Sequence, residues 1–349
     1  MKKIIICFVF VILLSGCGKD NKENVLKNWS EKVNNYDNYL MKGTLEINRN
    51  EDVYVYDLES AYMKNDNYRV SLINKTNNHE QIIIRNKNGV YVVNPALNKS
   101  FKFQSEWPYN NSQIYLIQPI ITDLENDSKL KFEKEEDMYV FTSKVNYMND
   151  KSLRKQKVYL SKKLILRKVE VIDDNGNIIM CLKAKKFKTN NHFDNNYFKV
   201  IDNYKEKNKI ESKSEENKDE SKAEGTTEDS KENDLKTTSA EDDTLYPMYV
   251  PVDTYLNTKD VMALDNGNRT ILTFSGNSPF TLMQSPVSSS TINYLNADPT
   301  MILDTVGAAS KDEVTWISND KEYYVTSEVL STNELIKIAE SLSVAQIEK

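Results

Sequence analysis

Between residues 205 and 243 the chain has no aromatic side chain and, beyond alanine, only Ile210 and Leu235 as apolar residues, against 8 Lys and 14 Asp+Glu. Such a stretch cannot bury enough apolar surface to offset the entropy of ordering it. The sequence therefore predicts a disordered acidic linker over 203–243, with folded regions on either side. A charged linker of this length holds its ends roughly 35 Å apart or more, at about 5–6 Å × √n. The 349 residues suit two domains at roughly 100–200 residues each. Of the 46 Lys+Arg and 52 Asp+Glu, removing the stretch leaves 38 of each, so its net −6 is the net charge of the chain. A balanced pair of domains gives no electrostatic footprint for nucleic acid, and none is expected as a partner.

The first residues set the location. Lys2 and Lys3 precede the apolar run Ile4–Leu14. Eleven residues fall short of the roughly 20 that span a bilayer, and have signal-peptide proportions. The run ends in Leu14-Ser15-Gly16-Cys17, which resembles the bacterial lipobox: an aliphatic residue, two small residues, and the cysteine whose thiol takes diacylglycerol. An ordinary secretory signal containing a cysteine is the competing reading. Position, spacing and the polar continuation Gly18-Lys19-Asp20-Asn21 favour the lipobox. The expectation is a signal peptide over 1–16 and lipidation of Cys17, with acyl chains such as palmitate. Two chains, at about 0.8 kcal/mol per buried methylene, anchor stably where one is marginal. The protein is expected to be tethered to the outer face of the cell membrane, or of a forespore or mother-cell membrane, and not to span it.

Between the anchor and the acidic stretch, an amphipathic helix is predicted near 22–38, with Leu26, Trp29, Val33 and Tyr36 on one face. Period-two runs follow, beginning at 39–48 and 53–62 and ending at 164–173 and 178–188, about eleven strands in all. Lys87-Asn88-Gly89 and Asp173-Asp174-Asn175-Gly176 read as hairpin turns. A second helix is predicted over 112–125, where Pro119 either kinks it or starts a new turn. After the acidic stretch, strands are predicted at 260–264, 269–275, 279–284, 313–318 and 322–327. A closing helix starts at Ser331, whose partner Glu334 completes a capping box.

The residues offer little for catalysis. Two His (His79 and His192) and three Cys (Cys7, Cys17 and Cys181) nearly exclude a His/Cys metal site, which needs three or four convergent ligands. No metal or cofactor is expected. There is no glycine-rich phosphate loop and no G-x-S-x-G elbow. Both histidines fall in polar turns. Glu135-Glu136-Asp137 and Asp173-Asp174 are explained by turn chemistry. Cys181, within Ile178–Leu182, reads as a buried structural thiol. A non-enzyme is expected. The aromatic supply, 20 Tyr, 11 Phe and 3 Trp, is concentrated on the strand runs. Ordinary sheet packing accounts for it; the alternative is that Tyr54, Tyr56, Phe101 and Phe103 line a ligand cavity or partner groove, with Trp107 anchoring a lid or partner.

An N-terminal helix, about eleven antiparallel strands and one helical insertion behind a lipobox resemble the LolA-like, outer-membrane lipoprotein-sorting family. The run Val92-Val93-Asn94-Pro95-Ala96-Leu97-Asn98-Lys99-Ser100-Phe101, continuing through Trp107-Pro108 to Ser112-Gln113-Ile114-Tyr115-Leu116, is similar to the YdcC-type sporulation lipoproteins of Gram-positive spore formers. The GerS-type germination lipoproteins are a more distant likeness. Pro279–Gln284, Val314-Thr315-Trp316 and Glu334–Leu342 resemble the DUF4367 domain. The resemblance implies an α+β chain: a curved antiparallel half-barrel with a helical lid over 17–202, and a smaller α+β domain over 244–349. It further implies a non-catalytic sporulation or germination lipoprotein that binds a cell-wall amidase for cortex processing. The alternative it leaves open is a carrier that holds a lipid or acyl chain in a hydrophobic cavity. An exposed apolar patch on a sheet edge or face would mark the binder. An open apolar cavity under a lid near 105–125 would mark the carrier.

Overall fold

A computed structural model describes residues 20–49, 52–147, 151–200, 243–287 and 293–344. The predicted signal peptide, Cys17 and all of the acidic stretch but Asp243 lie outside the described residues. In chain order, the first part comprises α1 (Lys22–Asn34), β1 (Asn38–Arg49), β2 (Asp52–Met63), β3 (Asn67–Asn74), β4 (Glu80–Asn86), β5 (Gly89–Asn94), β6 (Lys99–Phe103), α2 (Ile117–Asn126), β7 (Lys131–Lys134), β8 (Met138–Lys144), β9 (Leu153–Ser161), β10 (Leu166–Asp173) and β11 (Ile178–Thr189). The second comprises β12 (Leu245–Pro247), β13 (Thr254–Leu264), β14 (Gly267–Gly276), β15 (Phe280–Pro286), β16 (Asn293–Leu295), β17 (Asp298–Ile302), β18 (Thr305–Ala309), β19 (Glu313–Ser318), β20 (Lys321–Thr326), α3 (Thr332–Glu340) and β21 (Leu342–Val344). The fold is mostly antiparallel sheet with few helices, and it is LolA-like. The eleven strands expected before the acidic stretch are present.

The chain forms two compact units whose boundary does not follow the acidic stretch: the described residues through Asn65 with Pro108–Asn191, and Asp66–Trp107 with the described residues from His192 onward. In the first unit the strand order is β2-β1-β11-β10-β9-β8-β7, antiparallel throughout. One face is packed: Leu45, Phe141, Val158, Val169 and Leu182 are fully buried. Helix α1 starts where Asn21 Oδ1 accepts the Asn24 amide at 2.8 Å, and buries Val25, Trp29 and Val33, one residue per turn. It ends four residues before its predicted limit. Tyr36 turns instead to Phe187, 5.8 Å away, and Asn38 begins β1, its side chain exchanging hydrogen bonds with the Asn191 backbone. Helix α2 is also shorter than predicted. Ser112 is held extended by Asn146, whose amide donates to Ser112 Oγ at 2.7 Å. The helix begins only at Ile117, which puts Pro119 in the first turn, where its missing N–H costs nothing. Ile117, Ile120, Ile121 and Leu124 are buried, and α2 packs on α1 and β8.

The second unit contains β3–β6 and the strands after the acidic stretch. Strand order β16-β6-β5-β4-β3 includes one parallel pair, Asn293–Leu295 beside Phe101–Phe103. A seven-stranded antiparallel sheet runs β13-β14-β15-β20-β19-β18-β17, and β12 pairs with β21. Helix α3 covers part of the seven-stranded sheet. Leu335, Ile338 and Ala339 pack with Leu272, Phe280, Trp316 and Val325, and Trp316 stacks on Tyr323 at 5.1 Å. Strands β17 and β18 escaped the sequence reading because β18, Thr305–Ala309, is built of small side chains with no alternation. Gly307 is required there, since a Cβ would come within 2.4 Å of the Thr315 carbonyl oxygen.

Three polar contacts join β3–β6 to the later strands. Gln81 acts as a surrogate peptide: its Nε2 donates to the Val306 carbonyl at 3.2 Å and its Oε1 accepts the Val306 amide at 2.5 Å. Lys99 and Glu322 form a fully buried ion pair at 2.8 Å. Asn74 and Asn77 both donate to Asp304 Oδ2.

Candidate interaction site

The aromatic residues singled out by the sequence are divided between the two compact units. Tyr56, on β2, is 2% exposed and lies opposite Leu45; Tyr54 is half-buried opposite Ile47. Both belong to sheet packing in the first unit. Phe101 and Phe103, on β6, line a pocket with Val92, Val306, Ala308 and Trp316 in the second unit, but its volume is about 10 Å³. That is room for a single water at most, far below the roughly 300 Å³ of a small-ligand site. Trp107 is 1% exposed and meets Tyr68 edge-on at 6.2 Å. Its carbonyl accepts from Arg85 Nη1 at 2.7 Å, and its amide donates to Ser105 Oγ. It is a core residue of the second unit, pinned by the loop around it.

The potential chemical groups are placed much as turn chemistry predicts. His79 and His192 are exposed. Asp173 accepts backbone amides from Asn175 and Asn177, and these hydrogen bonds hold its carboxyl below the usual range. Cys181 is buried with a free thiol, and burial pushes its pKa up, away from reactivity. Among the described residues no group of His, Cys, Asp or Glu could hold a metal ion, and no helix is long and apolar enough to cross a membrane.

The cavity beside β4 and β18, near His79 and Asp304, holds about 40 Å³. A larger groove of about 440 Å³ lies in the first unit, but Lys144, Arg154, Lys155, Asp173 and Asp174 line it. It is polar, open to water and unsuited to an acyl chain.

What the sequence did not flag is the concentration of exposed apolar side chains on 248–262. Of eleven large apolar residues exposed among the described residues, seven fall there: Met248, Tyr249, Val252, Tyr255, Leu256, Val261 and Met262. Four of them sit on β13, an outermost strand of the seven-stranded sheet, hydrogen-bonded among the described residues only to β14. The strand is exposed along nearly its whole length, on both faces; Tyr255 is 62% and Met262 52% exposed. Such an edge presents a row of unpaired backbone groups beside apolar side chains. It is not a uniform template. Asn257 forms a bulge between the Leu256 and Thr258 pairings, and Lys259 reaches back to the Tyr246 hydroxyl at 3.1 Å. The apolar pairs Tyr255-Leu256 and Val261-Met262 flank this interruption. The alternation 254–264 is too short and too mixed in polarity to reveal from sequence that neither face is covered.

Residues 72–201 match the family model described as outer membrane lipoprotein carrier protein LolA. The whole chain is 31% identical over 357 residues, covering 98% of each protein, to "Sporulation protein YdcC" of Bacillus subtilis (strain 168). Solved structures of low similarity include MucB bound to MucA from Pseudomonas aeruginosa, 12% identical with TM-score 0.32 over 91% of this chain and 98% of that one. Another is the GerS lipoprotein with the CwlD amidase from Clostridioides difficile, 21% identical with TM-score 0.30 over 48% and 96%. The full-length similarity to YdcC, together with the LolA-like strands that precede the acidic stretch, places this chain in the YdcC family of LolA-like sporulation proteins.

Proposed function

We propose that this chain is a lipid-anchored, non-catalytic sporulation protein that holds a partner protein against the β13 edge. The observation that carries the reading is the apolar exposure of β13 on an unpaired sheet edge. A partner strand added there gains main-chain hydrogen bonds, and apolar contacts with Tyr255-Leu256 and Val261-Met262 set its side-chain preference. The sequence resemblance to GerS-type lipoproteins points to a cell-wall amidase as the partner class, with cortex processing as the outcome. The lipobox places the complex on the outer face of a membrane through Cys17. The small size of the pockets around Phe101 and Phe103 favours this reading over an acyl-chain carrier.

The test is a photo-crosslinking residue at Met262, compared with one at Val53, an exposed apolar residue of the first unit. In sporulating cells, Met262 is expected to crosslink to a protein partner and Val53 is not. Val261→Asp/Met262→Asp is expected to abolish the crosslinked species placed from Tyr255 and to lower the yield of heat-resistant spores, with the thermal midpoint unchanged. Equal crosslinking from both sites, or full spore yield from the double variant, sinks the proposal.

A further inference from the structure

We infer that the outer face of β9, β10 and β11 rests on an anionic lipid surface. Residues 151–191 carry twelve Lys and Arg against three acidic residues, in a chain whose net charge is negative. The register puts this charge on one face. Tyr159, Lys168 and Lys183 are aligned across β9, β10 and β11, so Lys155 and Lys157 share their side, opposite the buried Val158, Val169 and Leu182. Lys186 and Lys188 continue it, Lys186 opposite Lys42 of β1.

Bulges reinforce the pattern. Arg154, Arg167 and Lys185 are each the extra residue at a bulge in β9, β10 and β11, so the irregular positions also present cations. The three acids in this segment are already engaged. Glu170 meets Lys168 at 2.9 Å and accepts from the Tyr159 hydroxyl, Asp174 meets Arg154 at 2.6 Å, and Asp173 caps its turn. Glu46 of β1 is engaged with Lys183. Lys155, Lys157, Arg167, Lys185, Lys186 and Lys188 are exposed and have no acidic partner among the described residues.

The short distance along the sequence between this unit and Cys17 argues for the occupant. Asp20 interacts with Tyr139 of β8, in this same unit, and Lys162 of the β9–β10 turn lies 4.2 Å over the Tyr139 ring. Asp20 is three residue steps along the chain from Cys17, a reach of at most about 11 Å. That is close to the Debye length of about 8 Å at physiological salt, so a lipid on Cys17 brings this unit into the field of the headgroups. The inference rests on the anchoring proposed above.

Its test uses the chain from Lys19 onward, without lipid, so that a failure of the anchor and a failure of the face are read separately. Cosedimentation is measured with vesicles of phosphatidylcholine alone and with a one-third share of phosphatidylglycerol. Binding is expected only to the anionic vesicles and should weaken steeply as salt rises. Replacing Lys155, Lys157, Lys186 and Lys188 by Gln is expected to weaken it by more than about tenfold. The same change at Lys75, Lys87, Lys311 and Lys337, in the other unit, should alter it by less than about twofold. Equal binding to both vesicle types, a wild-type affinity in the first variant, or an equal loss in the second would each overturn the inference. Retention of full-length Cys17→Ala on membranes in high salt, where the face is screened, together with an unchanged mature mass, would instead count against the anchor.

Discussion

Two ionisable groups, Lys99 fully buried and Asp123 half-buried, carry opposite consequences for stability. Lys99 is 1% exposed, and its acidic partner is Glu322, which in turn accepts from the Tyr324 hydroxyl. Removing one member leaves the other charge buried without compensation, at a cost of about 3–5 kcal/mol. Lys99→Met should therefore shift the denaturant midpoint sharply, while Lys99→Met/Glu322→Leu recovers much of the loss; a double variant no better than the single would show that packing, and not charge, sets the cost. Asp123 behaves differently. Its half-buried carboxyl, on α2, is desolvated enough to raise its pKa from the ordinary 3.8 to about 6, despite Gln156 donating to it at 3.0 Å. Its folded form thus holds a proton that the unfolded chain releases. The stability this gives is fully present below about pH 4 and is lost as pH rises through 6. Asp123→Asn should flatten that slope and stabilise the protein at neutral pH by about 1–2 kcal/mol, after allowance for partial solvent access. An unchanged pH profile of the thermal midpoint would refute this.

At the scale of elements, local signals were legible where a hydrogen bond within a few residues decides the geometry. Ser331 and Glu334 form the capping box that their spacing predicts, with Ser331 Oγ accepting the Glu334 amide. Ser331→Ala is expected to cost about 1 kcal/mol and to lower the thermal midpoint by a few degrees. The hairpin turns at Asn88-Gly89 and Asn175-Gly176 are likewise where the sequence places them. Helix limits were less legible. Residues 112–116 have a helical apolar pattern, but the Ser112–Asn146 contact comes from 34 residues away and overrides it. The same separation explains why β13 was recognised only in part, over 260–264, and why its exposure was not foreseen. A strand's pattern does not state whether another layer arrives to cover it.

Across the whole molecule, the acidic stretch of 205–243 suggests a division that the compact units do not follow, since β3–β6 group with strands beyond residue 243. The Lys99–Glu322 pair, the Gln81–Val306 exchange and the parallel β6–β16 contact all link sequence on the two sides of that stretch. A protease site introduced between 205 and 243 should accordingly yield two fragments that remain together in size exclusion at neutral pH and part only in denaturant. Separate elution of intact fragments under native conditions would show that these links do not hold. If they hold, the cleaved protein should unfold with a midpoint that falls on dilution, because its halves are then joined by mass action alone.

The sequence by itself determined the strand-rich architecture, the helix cap and the turns, and its two His and three Cys nearly exclude a His/Cys metal site. These follow from composition and from contacts between residues close in the chain, which periodicity and spacing record. Only the tertiary structure decided that Trp107 and Tyr56 are core residues, that Phe101 faces strands two hundred residues away, and that β13, paired with β14 along one edge, has among the described residues no strand along its other edge and no covering layer. Each of these depends on which distant surface reaches a side chain first, and an alternating pattern of apolar residues is the same whether its apolar face meets a core, a partner or water.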